Sequence, residues 1–200
     1  MINEKNYSDL FKKLVKAYYE DVFQETIDEI LSRKEIDKKK FAKVVSALCG
    51  VEVSFSKNFS QELKSAIENY KESHRVVINT HSCIKNCIKI DGKTLCQNAC
   101  PFDAIIIGKD EYGVEINMDT CVGCGLCVDL CENKNFIDKI EFIPLMNDLK
   151  GNRKVIAAVA PAIVGQFGEN ISMGQIRAGL KQLGFADMVE VAFFADMLTI

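Results

Sequence analysis

Cys121, Cys124, Cys127 and Cys131, spaced C-x2-C-x2-C-x3-C in the segment CVGCGLCVDLC, constrain this chain more than any other feature. Three thiolates at so tight a spacing wrap one short loop around a single iron-sulfur cube, and a fourth, three residues further on, is directed towards a second cube. Such a run therefore requires a second set of cysteines. Cys83, Cys87, Cys96 and Cys100 supply it, with Pro101 directly after Cys100 as the motif's C-P ending. Gly123 and Gly125 interleave the later loop, where the missing side chains let backbone N–H groups approach cluster sulfurs.

The spacing predicts cross-ligation. One 4Fe-4S cluster is expected on Cys100, Cys121, Cys124 and Cys127, and a second on Cys83, Cys87, Cys96 and Cys131. The first set reads C-x3-C-x8-C-x3-C, with IKIDGKTL between Cys87 and Cys96, and the second set lacks a proline after Cys131. Both departures fall on the Cys83, Cys87, Cys96, Cys131 site, so a full 4Fe-4S cluster and a damaged or otherwise liganded site both stay open there. His81 is a candidate substitute ligand, against a bland reading as a solvated loop residue. The ninth cysteine, Cys49, ends an apolar helical pattern at Gly50 and reads as a small buried hydrophobe.

Zinc and disulfides are the competing uses of so many cysteines. Zinc knuckles pair C-x2-C units across longer spacers, and nothing in a zinc site calls for three successive close spacings followed by a fourth. The opening MINEKNYSDL has no apolar signal core, which points to a reducing, cytoplasmic setting where disulfides are rare. IAAVAPAIV is too short to span a bilayer. A net charge of -3 without a basic cluster speaks against nucleic acid as a partner.

The expected fold class is α+β: a helical N-terminal region over 1–75, a ferredoxin-like unit with two 4Fe-4S clusters over 76–150, and a partial parallel α/β segment over 151–200. In the first region Leu10, Phe11, Leu14, Tyr18 and Val22 recur at helical spacing, as do Phe41, Val44, Val45 and Leu48 after Asp37; a third helix is expected from about Ser60 to Tyr70. A helical cap over the cluster unit is the plain reading of this region. In the second, short strands are expected at 76–78, 104–107, VEIN, and Ile137 with IEFI, each half of a degenerate repeat supplying strands and a cysteine loop. In the third, VIAAVA reads as a strand buried on both faces, Ser172 and Gln175 as a capping box for a helix ending at Gly184, and MVEVAFF as another strand. Gly165 and Gly168 fit neither glycine pattern of a nucleotide loop.

The stretch from Lys154 to Ile200, with APA after its first strand, GQIRAGLKQLGF in its helix and FADMLT near its close, resembles the opening of the catalytic domain of FeFe hydrogenases. A two-cluster ferredoxin unit directly before such a segment is also that family's order, and the helical start is similar to its clostridial monomeric branch. The resemblance covers roughly residues 76–200. It implies a relay of electrons between an external carrier such as ferredoxin and a hydrogen-activating iron cluster, with the Cys100, Cys121, Cys124, Cys127 cluster nearer that site. In the family the catalytic cluster is held by cysteines of later motifs, and no cysteine follows Cys131 here. The expectation is therefore the front part of a hydrogenase, whether a gene fragment or a subunit completed by the remainder of the catalytic domain, with no catalytic residue of its own. The alternative is a non-catalytic redox sensor or interaction protein in which cluster state alters docking of the helical region.

Overall fold

The computed structural model describes residues 4–71, 76–80, 87, 89–108, 113–132 and 135–198. It divides into two compact units, Met1–Pro144 and Leu145–Ile200. His81 and Cys83 lie outside the described residues, as do Glu111 and Tyr112 before VEIN.

The first unit opens with four helices: α1 (Glu4–Tyr19), α2 (Phe23–Leu31), α3 (Lys38–Leu48) and α4 (Phe59–Glu68). Three were expected in this stretch; α2 is the addition. The break comes at Asp21, whose φ of 59° is a left-handed conformation that aspartate tolerates better than most side chains. Val22 thereby becomes the exposed N-cap of α2 rather than the next apolar residue of α1. Asp37 caps α3 by accepting from the backbone N–H of Lys39 and Lys40, each at 3.1 Å. Leu14, Phe23, Ile27, Phe41, Val44, Leu48, Phe59, Leu63 and Ile67 are buried, and they form the core of the helical layer. Ring edges of Tyr18 and Phe23 meet at 5.4 Å between centroids across the α1–α2 turn.

Next come β1 (Val77–Asn79), β2 (Lys89–Ile90), β3 (Lys93–Thr94), α5 (Leu95–Ala99), β4 (Ile105–Ile107), β5 (Val114–Ile116), α6 (Leu126–Leu130) and β6 (Phe136–Asp138). The outer strands β1 and β6 pair antiparallel, Ile78 opposite Ile137, and the inner strands β4 and β5 pair antiparallel, Ile106 opposite Glu115. Strand, helix, strand thus occurs twice, and the two helices α5 and α6 pack together. Hydrogen bonds repeat with the elements: Thr80 N–H donates to Asn135 O, and Asn117 N–H to Ala104 O, both at 2.7 Å. Against this unit α3 packs on β1 and β6, and Ile140 N–H donates to Ala47 O at 2.9 Å. A Cβ at Gly50 would meet the Glu141 backbone at 2.9 Å, so the helical layer approaches the strands as closely as only glycine permits.

The IEFI segment, expected to extend β6, does not. The strand ends at Asp138, and α7 (Phe142–Lys150) begins two residues into the segment, with Phe142 edge-on to Phe11. The division between units falls within α7. The second unit continues with β7 (Ile156–Val159), a 3-10 turn at Pro161–Ile163, α8 (Met173–Gln182), β8 (Asp187–Glu190) and α9 (Val191–Leu198). β7 and β8 pair in parallel with α8 as their crossover. Ser172 and Gln175 form the capping box, and Gly184 follows the helix at φ 107°. Two readings are corrected here. MVEVAFF is a strand only as far as Glu190, its VAFF being the first turn of α9; and β7 is not buried on both faces, Val159 alone being buried while Ile156 is 55% exposed. A single neighbouring strand cannot cover the apolar faces of a parallel pair. Phe193, Met197 and Leu198 of α9 are exposed for the same reason. Among the described residues no helix is long and apolar enough to cross a membrane.

Candidate metal centre

Two short helices position four of the described cysteines. Cys96 lies in α5 and Cys100 caps its C-terminus; Cys127 lies in α6 and Cys131 caps that helix. Both cap residues leave the helix in extended conformation, at φ -77° and -78°. The backbone N–H four residues later then turns back onto the sulfur: Ala104 N–H donates to Cys100 Sγ and Asn135 N–H to Cys131 Sγ, each at 3.3 Å. Such donors stabilise negative charge on a thiolate.

The helices begin differently. α6 starts from Gly125 in left-handed conformation, φ 81°, directly after the Cys121–Cys124 loop. α5 starts from Thr94 in a full capping box with Gln97. The residues before Thr94 form the β2–β3 hairpin, turning at Asp91 and Gly92, both at positive φ. Residues 89–94 of the insertion thus form a hairpin, and Asp-Gly between short strands is its sequence signal. Asn98 Nδ2 donates to Ile90 O at 3.2 Å and ties the hairpin to α5.

Cys100, Cys121, Cys124 and Cys127 line one cavity, part of it open to solvent. Its remaining wall is Val77, Phe102, Ala104, Ile105, Val122, Leu126 and the two glycines of the loop. Gly123, at φ 68°, lies so close to Val76 that a Cβ there would overlap the valine side chain. Val77, Cys96, Ile105, Val114 and Phe136 form the buried cluster beneath, with Cys100, Cys127 and Cys131 packed against it. Burial, and after it the neighbouring Cys121, pushes the Cys127 thiol up to about 11, and Cys96 and Cys124 act in the same direction. The proton on the Cys127 sulfur is thus hard to lose unless a metal replaces it.

This donor set fits an iron-sulfur cluster. Among the described residues no three His, Cys, Asp or Glu side chains come close enough to hold a single metal ion. Four sulfurs instead stand around an apolar-walled space, as a site for a polynuclear group requires. Cys49 stands apart from these sulfurs, buried at the C-terminus of α3 with its thiol pushed up by burial. Of the second expected set the structure places Cys96 and Cys131 at the same buried cluster and describes Cys87 as half-buried; Cys83 belongs to residues not described.

Comparison with known proteins agrees with this chemistry. Residues 114–134 match the family described as 4Fe-4S binding domain, and residues 153–200 match the family described as Iron only hydrogenase large subunit, C-terminal domain. The chain is also similar to a component of the Na(+)-translocating ferredoxin:NAD(+) oxidoreductase complex of Acetobacterium woodii, with 39% identity over 49 residues, 24% of this chain and 14% of that protein. The chain thus spans only a small part of the curated relative it matches. It carries an iron-sulfur-binding segment followed by a segment of hydrogenase type.

Proposed function

We propose that the chain is the electron-transfer segment of an FeFe hydrogenase-like oxidoreductase of the clostridial monomeric type, working in the cytoplasm of an anaerobe and relaying electrons through two 4Fe-4S clusters. The observation that carries this reading is the cavity in which Cys100 joins Cys121, Cys124 and Cys127, in a chain that continues into a hydrogenase-type segment. A cluster bound there supplies reversible one-electron chemistry at low potential. The protein's part is to hold it in the apolar wall of Val77 and Ile105, to bind its iron through thiolates, and to direct the Ala104 N–H at a ligand sulfur. The second cluster is assigned to Cys83, Cys87, Cys96 and Cys131. Packing of α5 on α6 supports short transfer between the two, because Cys96 and Cys127 meet in one buried cluster.

The external carrier is of ferredoxin class, a choice supported by the Acetobacterium relative, whose name places it in a ferredoxin:NAD(+) oxidoreductase. The hydrogen-activating site belongs to the remainder of the catalytic domain, for which the exposed Phe193, Met197 and Leu198 offer an apolar surface. Anaerobic reconstitution with iron and sulfide tests the reading. About eight iron atoms per chain and reduction at low potential are expected, with no hydrogen evolved from reduced viologen even when maturation proteins are supplied. Stoichiometric zinc in place of iron overturns the relay, and sustained hydrogen evolution overturns the placement of the active site.

A further inference from the structure

Asn135 is almost completely buried, at 1% exposure, yet neither its side-chain nitrogen nor its side-chain oxygen has a hydrogen-bond partner among the described residues. Its backbone is fully engaged: the N–H donates to Cys131 Sγ, and the carbonyl accepts from both the N–H and the hydroxyl of Thr80. A buried amide left unpaired costs free energy on the scale of a lost hydrogen bond, so such a group in a native protein calls for a partner.

The internal repeat indicates where that partner sits. Ala104 is the counterpart of Asn135, since each donates to a helix-capping cysteine four residues back and each accepts from the first residue after an outer or inner strand, Asn117 in one half and Thr80 in the other. Ala104 lines the cavity of the Cys100, Cys121, Cys124, Cys127 site with a methyl group that donates nothing. Position 135 stands in the same relation to the Cys131 site, and there the repeat carries an amide.

We propose that the Asn135 side chain donates a hydrogen bond to a sulfur of the cluster that Cys131 ligates, and that this bond raises that cluster's potential. Cluster and thiolate sulfurs only accept, so it is the Nδ2 side of the amide that faces them. Hydrogen bonds to the sulfurs raise the potential because they favour the more negative, reduced state. With alanine at the equivalent position of the other half, the two sites differ in this donor.

This inference rests on the two-cluster reading, and one experiment separates their failures. The reconstituted full chain is titrated electrochemically under electron paramagnetic resonance, with iron counted in parallel, for the natural protein and for Asn135→Ala, Asn135→Asp and Cys131→Ser; the last identifies which signal belongs to the Cys131 site. Asn135→Ala is expected to disfavour reduction at that site about tenfold, a fall of about 59 mV for one electron, and to leave the other midpoint in place. Asn135→Asp, which puts a carboxylate against an anionic cluster, lowers it further. The reciprocal Ala104→Asn raises the midpoint of the other cluster. Eight irons with both midpoints unmoved in Asn135→Ala overturns the inference alone, as does a shift confined to the Cys100 site; four irons in the natural chain overturns both the two-cluster reading and this donor.

Discussion

Ala104 and Asn135 occupy equivalent places in the two halves of the cysteine-rich unit, each donating its backbone N–H at 3.3 Å to the sulfur of a cysteine four residues earlier. The repeat is thus preserved in its hydrogen bonds although the sequences around it have diverged. It also explains how sulfurs from opposite ends of the motif come together, because the paired helices α5 and α6 deliver Cys100 to the loop of Cys121 and Cys124.

Cross-ligation is open to a direct test. Cys100→Ser is expected to remove the cluster of the Cys121, Cys124, Cys127 loop and to lower the iron content from about eight to about four per chain. Its spectrum should match that of Cys124→Ser. A match with Cys87→Ser instead would show that each cysteine set holds its own cluster.

Gly123 faces two separate constraints, a left-handed backbone and the side chain of Val76. Gly123→Ala should destabilise the loop by about 1–2 kcal/mol through backbone strain alone, with the overlap added to it. Val76→Ala in the same chain should recover the second part and not the first. Chemical denaturation of the single and double variants measures both, and full recovery in the double variant would refute the strain argument.

Thr94 starts the helix that carries Cys96 and Cys100, cysteines assigned to different clusters. Thr94→Ala removes the capping box and should cost about 1 kcal/mol. Both clusters should then lose iron faster to a chelator. Thr94→Ser keeps the hydroxyl and should behave like the natural chain.

Asp187 provides a pH dependence in the second unit. The backbone N–H of Met188 holds its carboxyl below the usual carboxylate range, with Lys181 and Arg177 acting in the same sense at 3.4 and 3.5 Å. A group whose folded value is depressed contributes stability above its unfolded value and loses it as pH falls through the folded one. Amide protection factors in α8 and β8, taken against the intrinsic exchange rate at each pH, should therefore fall as the pH drops below about 4. Asp187→Asn should be less protected at neutral pH and should show a shallower acid dependence; an unchanged slope would remove Asp187 from the account.

Much of this protein is written locally. The cysteine spacing identified the chemistry; Asp37 before an apolar helical pattern, Ser172 with Gln175, and Gly50 and Gly184 at helix ends marked where helices start and stop, because caps depend on only a few adjacent residues. Local pattern also misled. VAFF and IEFI have the composition of strands but enter helices α9 and α7, since short apolar runs suit either state until packing decides. A left-handed Asp21 ended the first helix short of Val22 and led into a helix that the pattern had not indicated. The repeat itself was legible in the two cysteine loops; what no local pattern contains is the pairing of β1 with β6 across most of the cysteine-rich unit, with β4 and β5 paired inside it. That pairing closes the wall around Cys100, Cys121, Cys124 and Cys127, and it buries the Asn135 amide where a cluster sulfur is the partner we propose for it. The cysteines' chemistry is a property of the residues in order; the shape of their cavity and the contrast between Ala104 and Asn135 arise only from bringing distant strands together, which is a property of the fold.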